Sequence, residues 1–347
     1  MVVVSTRCRP FTDFGGMEKW SIALCNALSL KDEVYFITGE GIFLIKNRKK
    51  EKIKSYLSNN SISSIFKVNY QTYKIVKENK VQSFHIFGHV GIAALYLLKS
   101  SISKSRFYGL GYECVFNEDK SVLKKIKNYV HRFLMNLTIS KVDISYVLER
   151  ARIPQIAKFF VLPIKKVRSI ENFIDNKNIA SVPNFKVGEK KIVLSIGRDC
   201  DAKRRKNLIQ DWEELYKNDK DYCLKIISKN LDQNLLKQIN KIENIEYLDN
   251  ISDKELEKIR TQSAFDVSYS NQKNPLLVSL ESISYGCIPV IDVKSDTSYF
   301  NKSNSVFLKD LDNLTYEMSS EIFNNCYEKI KERSLKAFED KIISENF

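Results

Sequence analysis

The sequence predicts an α/β chain of two parallel-sheet domains, and three observations carry that reading. Short apolar strands alternate with helical patterns along both halves, as βαβ units require. A polar stretch over residues 176–189 interrupts the pattern, which restarts with the strand-like run Ile192–Gly197. In the second half, Ser268–Ile291 reads as a strand end, a polar turn, a capped helix and another strand. The expected layout is an N-terminal domain over 1–175, a linker over 176–189, a C-terminal domain over 190–330 and a helix over 331–347.

The first half supplies strands near Val2–Ser5, Glu33–Ile37, Ile65–Val68, Gln82–Phe87, Arg106–Leu110, Asp143–Leu148 and Lys166–Ile170. After the first strand, Gly15-Gly16 opens a helix whose Trp20, Ala23, Leu24, Ala27 and Leu28 share one face. A glycine pair there allows close backbone approach to a ligand and leaves helix-terminal amides free, or serves packing alone. The pattern is no GxGxxG, so a dinucleotide fingerprint is excluded. Two basic segments follow, Lys46–Lys54 and Lys120–His131 with its continuation RFLMNL. In the second, Leu123, Ile126, Val130, Phe133 and Leu134 share a face, while Lys120, Lys124, Lys125, Lys127 and Arg132 cover the rest. That pattern fits a helix on anionic lipid as well as a helix packed on its own sheet.

The second half continues with strands near Tyr222–Ser228, Ile245–Leu248, Phe265–Ser270, Ile288–Asp292 and Ser305–Leu308, then a charged helical tail from Thr315. The strand Ile192–Gly197 runs into RDCDAKRRKNLIQDWEEL. Arginine offers a bidentate fork and lysine a point charge, so a strand ending in Gly-Arg with lysines before a helix suits a diphosphate. In the block Ser268–Ile291, Asn274 is a good N-cap, and Pro275 stands at the first helical position. Leu276, Leu277, Leu280 and Ile283 recur at helical spacing, Gly286 fits the left-handed residue past the end, and Pro289 prevents continuation. Free amides at such a helix start form an anion site.

Composition narrows the class. The chain has 347 residues, 43% hydrophobic and 28% charged, enough for two cores of ordinary size. No run of about eighteen apolar residues occurs, so no membrane-spanning helix is expected. The N-terminus enters a strand without the charged and apolar regions of a signal peptide. Seven cysteines (Cys8, Cys25, Cys114, Cys200, Cys223, Cys287 and Cys326) are scattered without a CxxC pair, which argues for a reducing compartment and against structural zinc. Three histidines, His85, His89 and His131, make a multi-histidine metal site improbable. The net charge of +14 is unevenly placed: residues 1–175 hold 29 Lys and Arg against 14 Asp and Glu. An anionic partner for that half is expected. No aromatic-rich basic strands of the RNA-binding type occur, so nucleic acid is not expected.

The block around Glu281 resembles the donor-binding motif of the family 4 glycosyltransferases, E-x7-E-A-x-x-x-G-x-P-V-I in outline, with Glu281, Gly286, Pro289, Val290 and Ile291 matching. Gly15, Gly16 and Glu18 are similar to that family's G-G-x-E opening, and Asn172 and Asp175 to its N-x-x-D hinge. Gly197, Arg198 and Lys206-Asn207 are similar to its G-R-x-x-x-x-K-(G/N) element at a lengthened spacing, with Lys203 the competing lysine. The resemblance implies the GT-B fold, two Rossmann-like parallel-sheet domains facing across a cleft, with a terminal helix returning to the first domain. It implies retaining transfer of a sugar from a nucleotide diphosphate donor, without a metal or other cofactor. Arg198 and Lys206 would stabilise the departing diphosphate. Gly16, Lys203, Lys273, Asn274, Leu276 and Glu281 would line the donor, Glu281 on the ribose.

Two departures stand beside the resemblance. The family's histidine slot holds Leu110 or Gly111, and the first glutamate's slot holds Lys273 or, after a one-residue slip, Gln272. A lysine there suits a donor sugar carrying a carboxylate, or marks a non-catalytic GT-B accessory subunit that binds acceptor or a partner transferase. The expectation is an enzyme of surface-glycan synthesis, in the cytoplasm and peripheral on the inner face of the membrane. Its partners would be a nucleotide sugar, a glycan or lipid-linked acceptor and anionic lipid.

Overall fold

A parallel sheet needs cover on both faces, and the computed structural model shows where the chain supplies it. The structure describes all residues except 13–15, 57–61, 89, 110–121, 149–152, 160–162, 176–178, 198–203, 230, 270–276, 293–299, 302 and 347. For 62–64, 122–128, 131, 155, 156, 159 and 346 it describes the backbone alone. The chain divides into two units, Met1–Asn172 with Leu335–Phe347, and Phe173–Ser334.

The first unit is built on eight strands: β1 (Val2–Thr6), β2 (Val34–Ile37), β3 (Gly41–Lys46), β4 (Lys49–Ser55), β5 (Val81–Phe87), β6 (Ile102–Tyr108), β7 (Ile144–Val147) and β8 (Val167–Ser169). Their order is β4-β3-β2-β1-β5-β6-β7-β8. All neighbours are parallel except the β2–β3 and β3–β4 pairs. β1 lies at the centre, with every residue buried and Val4 opposite both Phe36 and His85.

The hairpin β3–β4 went unread in the sequence. It absorbs the basic run Lys46–Lys54 and turns at Asn47 and Arg48, both with positive φ, the geometry that matches strand twist. Every β4 residue is exposed, and Lys50 lies 3.6 Å over the Phe11 ring, so no apolar alternation announces the strand. Lysines on an edge strand oppose pairing with another chain. The strand expected at Ile65–Val68 is instead part of helix α2 (Ile62–Glu78). Val68, Thr72 and Val76 are all buried there, and that spacing of four belongs to a helix.

Helix α1 (Gly16–Leu28) buries Trp20, Ala23, Leu24, Ala27 and Leu28 as its spacing requires. Trp20 meets Phe338 of the terminal helix α11 (Leu335–Asn346) edge-on at 4.9 Å, and Tyr108 at 5.2 Å. Right-handed crossovers put α1 on one sheet face. The opposite face carries α2, α3 (Ile92–Leu97), α4 (Val122–Lys141) and α5 (Ile153–Phe159).

A polar seam runs through the sheet. His85 Nδ1 lies 2.8 Å from the Tyr108 hydroxyl, and His85 Nε2 lies 2.8 Å from Ser83 Oγ. Arg106 donates to Ser83 Oγ at 2.6 Å and to the Glu345 carbonyl at 2.9 Å, and the Tyr146 hydroxyl donates to the Glu345 carboxylate. The seam thus ties β5, β6 and β7 to α11.

The second unit has six parallel strands, β9 (Lys191–Ile196), β10 (Tyr222–Ile227), β11 (Ile245–Leu248), β12 (Phe265–Ser268), β13 (Ile288–Ile291) and β14 (Val306–Phe307), in the order β11-β10-β9-β12-β13-β14. Helices α6 (Arg205–Tyr216), α7 (Gln233–Ile239), α8 (Asp253–Gln262), α9 (Leu277–Ser284) and α10 (Tyr316–Lys331) connect or cover them. Asp232 caps α7, and Ser252 with Glu255 forms a capping box on α8. Trp212, Tyr216, Leu224 and Phe265 lie in one buried cluster.

The described part of the stretch read as a linker belongs to this unit. Ala180 N–H donates to the Ser284 carbonyl at 2.8 Å, and Phe185 is buried edge-on against Phe265. Asn184 donates from Nδ2 to the carbonyls of Arg260, Ser263 and Tyr285 at 2.8–3.1 Å. Its oxygen would lie 2.6 Å from a Cβ at Gly286, whose φ is +98°. Gly286→Ala is therefore expected to destabilise the unit by about 1–3 kcal/mol, read as a lowered denaturant midpoint.

Burial, and then the Arg106 guanidinium, hold His85 well below its ordinary value of 6.5. Below about pH 6.5 the unfolded chain binds a proton that the folded chain refuses, so stability falls as pH drops through that value. Denaturant midpoints at about pH 7.5 and about pH 5.5 read the fall. His85→Gln should flatten it, and an unchanged slope in that variant would acquit His85.

Candidate functional site

The sheet of the second unit reverses direction between β9 and β12. From β9 the chain turns through α6 to β10 on one side, and from β12 through α9 to β13 on the other. Such a switch point, at the C-terminal ends of the strands, is where open α/β sheets bind ligands. The two segments that leave it, 198–203 and 270–276, hold Arg198 and Lys203, and Lys273, Asn274 and Leu276. All five lie outside the described residues.

What the structure describes are the supports on either side. Gly197, just past β9, has φ +142°. Arg204 stands ahead of α6 in the left-handed region with φ 43°. Arg205, the first residue of α6, is buried to 3% and turns back onto the strand. Its guanidinium donates to the Gly197 carbonyl at 2.8 Å, to Ser195 Oγ at 2.9 Å and to the Ser195 carbonyl at 3.3 Å. The run KRRK read as charge alone thus contains a buried brace, and only burial distinguishes Arg205 from its neighbours. Lys206, the next residue, is exposed on α6. Counted from Arg198, Lys203 meets the four-residue gap of G-R-x-x-x-x-K directly, whereas Lys206 needs a longer one.

Glu281 lies in α9 and is buried, its Oε2 accepting from Arg260 of α8 at 2.7 Å. The Arg260 guanidinium also faces the Tyr285 ring at 5.8 Å. This buried ion pair had no signal in the sequence, because Arg260 stands in the ordinary helical text DKELEKIRTQ. A carboxylate held by arginine is fixed in place, and the pair ties α9 to α8.

In the first unit, Gly16 begins α1, and Glu18 within its first turn is buried. Burial, followed by Glu18, pushes the Cys8 thiol up to about 11, so it stays protonated at neutral pH. His85 is consumed by the polar seam, while His89 and the stretch with Leu110 and Gly111 lie outside the described residues. Among the described residues, no group of three or more His, Cys, Asp or Glu is placed to hold a metal ion. Among them also, no helix is long and apolar enough to cross a membrane.

The helices α2, α3 and α4 lie side by side. Gly91 N–H, just ahead of α3, donates to Asn69 of α2 at 2.6 Å, and the Tyr96 hydroxyl of α3 donates to the Leu137 carbonyl of α4 at 3.2 Å. They leave Phe66, Tyr70, Leu97, Tyr129, Val130 and Phe133 exposed. Val130 and Phe133 were expected on the apolar face of α4, yet among its described side chains Met135, Thr138 and Ile139 are the ones buried.

Solved structures share this arrangement over the whole chain. Sucrose-phosphate synthase from Thermosynechococcus elongatus superposes with a TM-score of 0.78 at 12% identity, covering 99% of this chain and 97% of that one. The E. coli trehalose-6-phosphate structure bound with UDP-2-fluoro glucose gives 0.70 at 10% identity, covering 100% and 99%. The apo form of the lipopolysaccharide outer core galactosyltransferase WaaB gives 0.64 at 12% identity, covering 99% and 98%. The fold is GT-B. No protein-family model and no curated protein matches the sequence. At these identities the likeness is one of GT-B architecture, and residue roles rest on this chain's own geometry.

Replacing Glu281 by alanine leaves the Arg260 guanidinium buried without its carboxylate. The expected loss is about 3–5 kcal/mol of stability, read by denaturant unfolding, with Glu281→Gln losing less because its amide oxygen still accepts.

Proposed function

We propose that this protein is a retaining glycosyltransferase that moves a sugar from a nucleotide diphosphate donor to a lipid-linked or polysaccharide acceptor in surface-glycan synthesis. The observation that carries the reading is the switch point of the second unit. Its two outgoing segments bear Gly197-Arg198, Lys203 and Lys273-Asn274, and it sits within a GT-B fold. In this reading Arg198 and a lysine of the run 203–206 hold the diphosphate and stabilise the charge that grows as the glycosidic bond breaks. No metal takes part, because guanidinium and ammonium groups supply the positive charge. Arg205 keeps the strand end in register, and Glu281 faces the donor ribose.

The first unit receives the acceptor. Its net positive charge and the exposed aromatics of α2, α3 and α4 support docking on anionic lipid, aromatic rings entering the interface and lysines meeting the headgroups. A GT-B accessory subunit without transferase activity is the second reading. It is favoured by Lys273 in the first glutamate's slot and by the ion pair that engages Glu281.

Thermal unfolding against bare nucleotides and nucleotide sugars separates the readings. Selective binding to the folded state raises the melting temperature. Stabilisation by one nucleotide class, lost in Arg198→Ala and Lys203→Ala, is the expected result, followed by sugar transfer from that donor. Silence across the panel from a folded protein would discard the transferase. Co-sedimentation with vesicles containing anionic lipid should fall steeply with salt.

A further inference from the structure

The second unit holds a cavity of about 390 Å³ beside α6, at the C-terminal ends of β12, β13 and β14. That volume is in the range of small-molecule sites. Asp211 and Glu214 of α6 and Asp292 after β13 supply carboxylates, while Arg204 and Lys309 supply cations. Asp292 is 9% exposed, and its carboxylate accepts from Arg204 through Oδ2. Its other oxygen, Oδ1, is buried and has no hydrogen-bond partner. A buried carboxylate oxygen without a donor is costly, and a ligand that donates to it removes the cost.

The walls select the donor's chemistry. Among the described residues, an anion entering here meets three carboxylates, and a cation meets Arg204 and Lys309. Among the described residues the carboxylates do not converge as a metal site would require. A neutral group rich in hydroxyls meets neither objection. Tyr269 spends its hydroxyl on Asp211 Oδ2 at 2.7 Å, its ring centroid lies 5.8 Å from the Arg204 guanidinium carbon, and with Phe307 it lines the cavity with ring surface suited to the carbon face of such a group.

We propose that this cavity is a subsite for a neutral, hydroxyl-bearing sugar ring, with hydroxyls donating to Asp292 and Asp211. The ring is either the glycosyl group of a nucleotide sugar or part of a glycan chain. Its place as substrate rests on the glycosyltransferase reading, whereas the chemistry of the cavity does not.

Isothermal titration of the full chain tests this with a neutral oligosaccharide, the matching uronate, a bare nucleoside diphosphate and the corresponding neutral nucleotide sugar. The neutral sugar ligands should bind, with the uronate at least about tenfold weaker. Asp292→Asn should weaken the neutral ligands by about tenfold and leave the bare nucleotide unchanged. Leu215→Trp, made at an exposed position on the rim, should block the cavity without touching Asp292. Loss confined to the nucleotide sugar assigns the ring to the donor; loss confined to the oligosaccharide assigns it to a glycan. Equal binding of the uronate, or neutral sugars indifferent to both variants, overturns the subsite. Oligosaccharide binding that both variants abolish, in a protein that binds no nucleotide, keeps the subsite and overturns the transferase reading instead.

Discussion

A parallel sheet with right-handed crossovers delivers every strand's C-terminal end to one edge, and most of what this protein can do follows from that constraint. In the second unit the strand order turns outward in both directions from β9 and β12. In the sequence Arg198 and Lys203 follow β9 and Lys273 follows β12, the two strands that flank this reversal.

Holding that edge in place requires buried charge. Arg205 satisfies the last carbonyls of β9 from within α6, and Arg260 with Glu281 joins α8 to α9. In the first unit Arg106 links the sheet to α11. Arg106 and Arg205 each make several hydrogen bonds from a nearly dry position, and Arg260 pairs with a buried carboxylate, arrangements that lysine's single point charge reproduces poorly. Such groups add orientation more than net stability, since desolvation offsets much of the attraction. They fix where helices begin and how strand ends are presented.

The first unit spends its charge differently. The β3–β4 hairpin lays its lysines along a free sheet edge, and α2, α3 and α4 leave aromatic side chains exposed above a buried face. The excess positive charge of the sequence lies in its first half, and the second half is near neutrality.

The sequence by itself determined the α/β class, the two-unit layout in outline, most strands of both sheets and the buried face of α1, because those features are written in local periodicity. It also marked Gly286, where a helix end needs a residue free to take positive φ. It could not show β4, whose text is lysine and glutamate apart from Ile53 and Ser55, nor the helix across Ile65–Val68, where a short apolar run suits either element. The packing of 179–189 on the second unit, the Arg260–Glu281 pair and the cavity at Asp292 were decided by tertiary structure alone. Each joins residues from separate elements, and what distinguishes them is burial, which reclassifies Arg205 as a brace and leaves Asp292 with an unanswered oxygen. Local sequence carries periodicity; desolvation is set by what the rest of the chain places alongside.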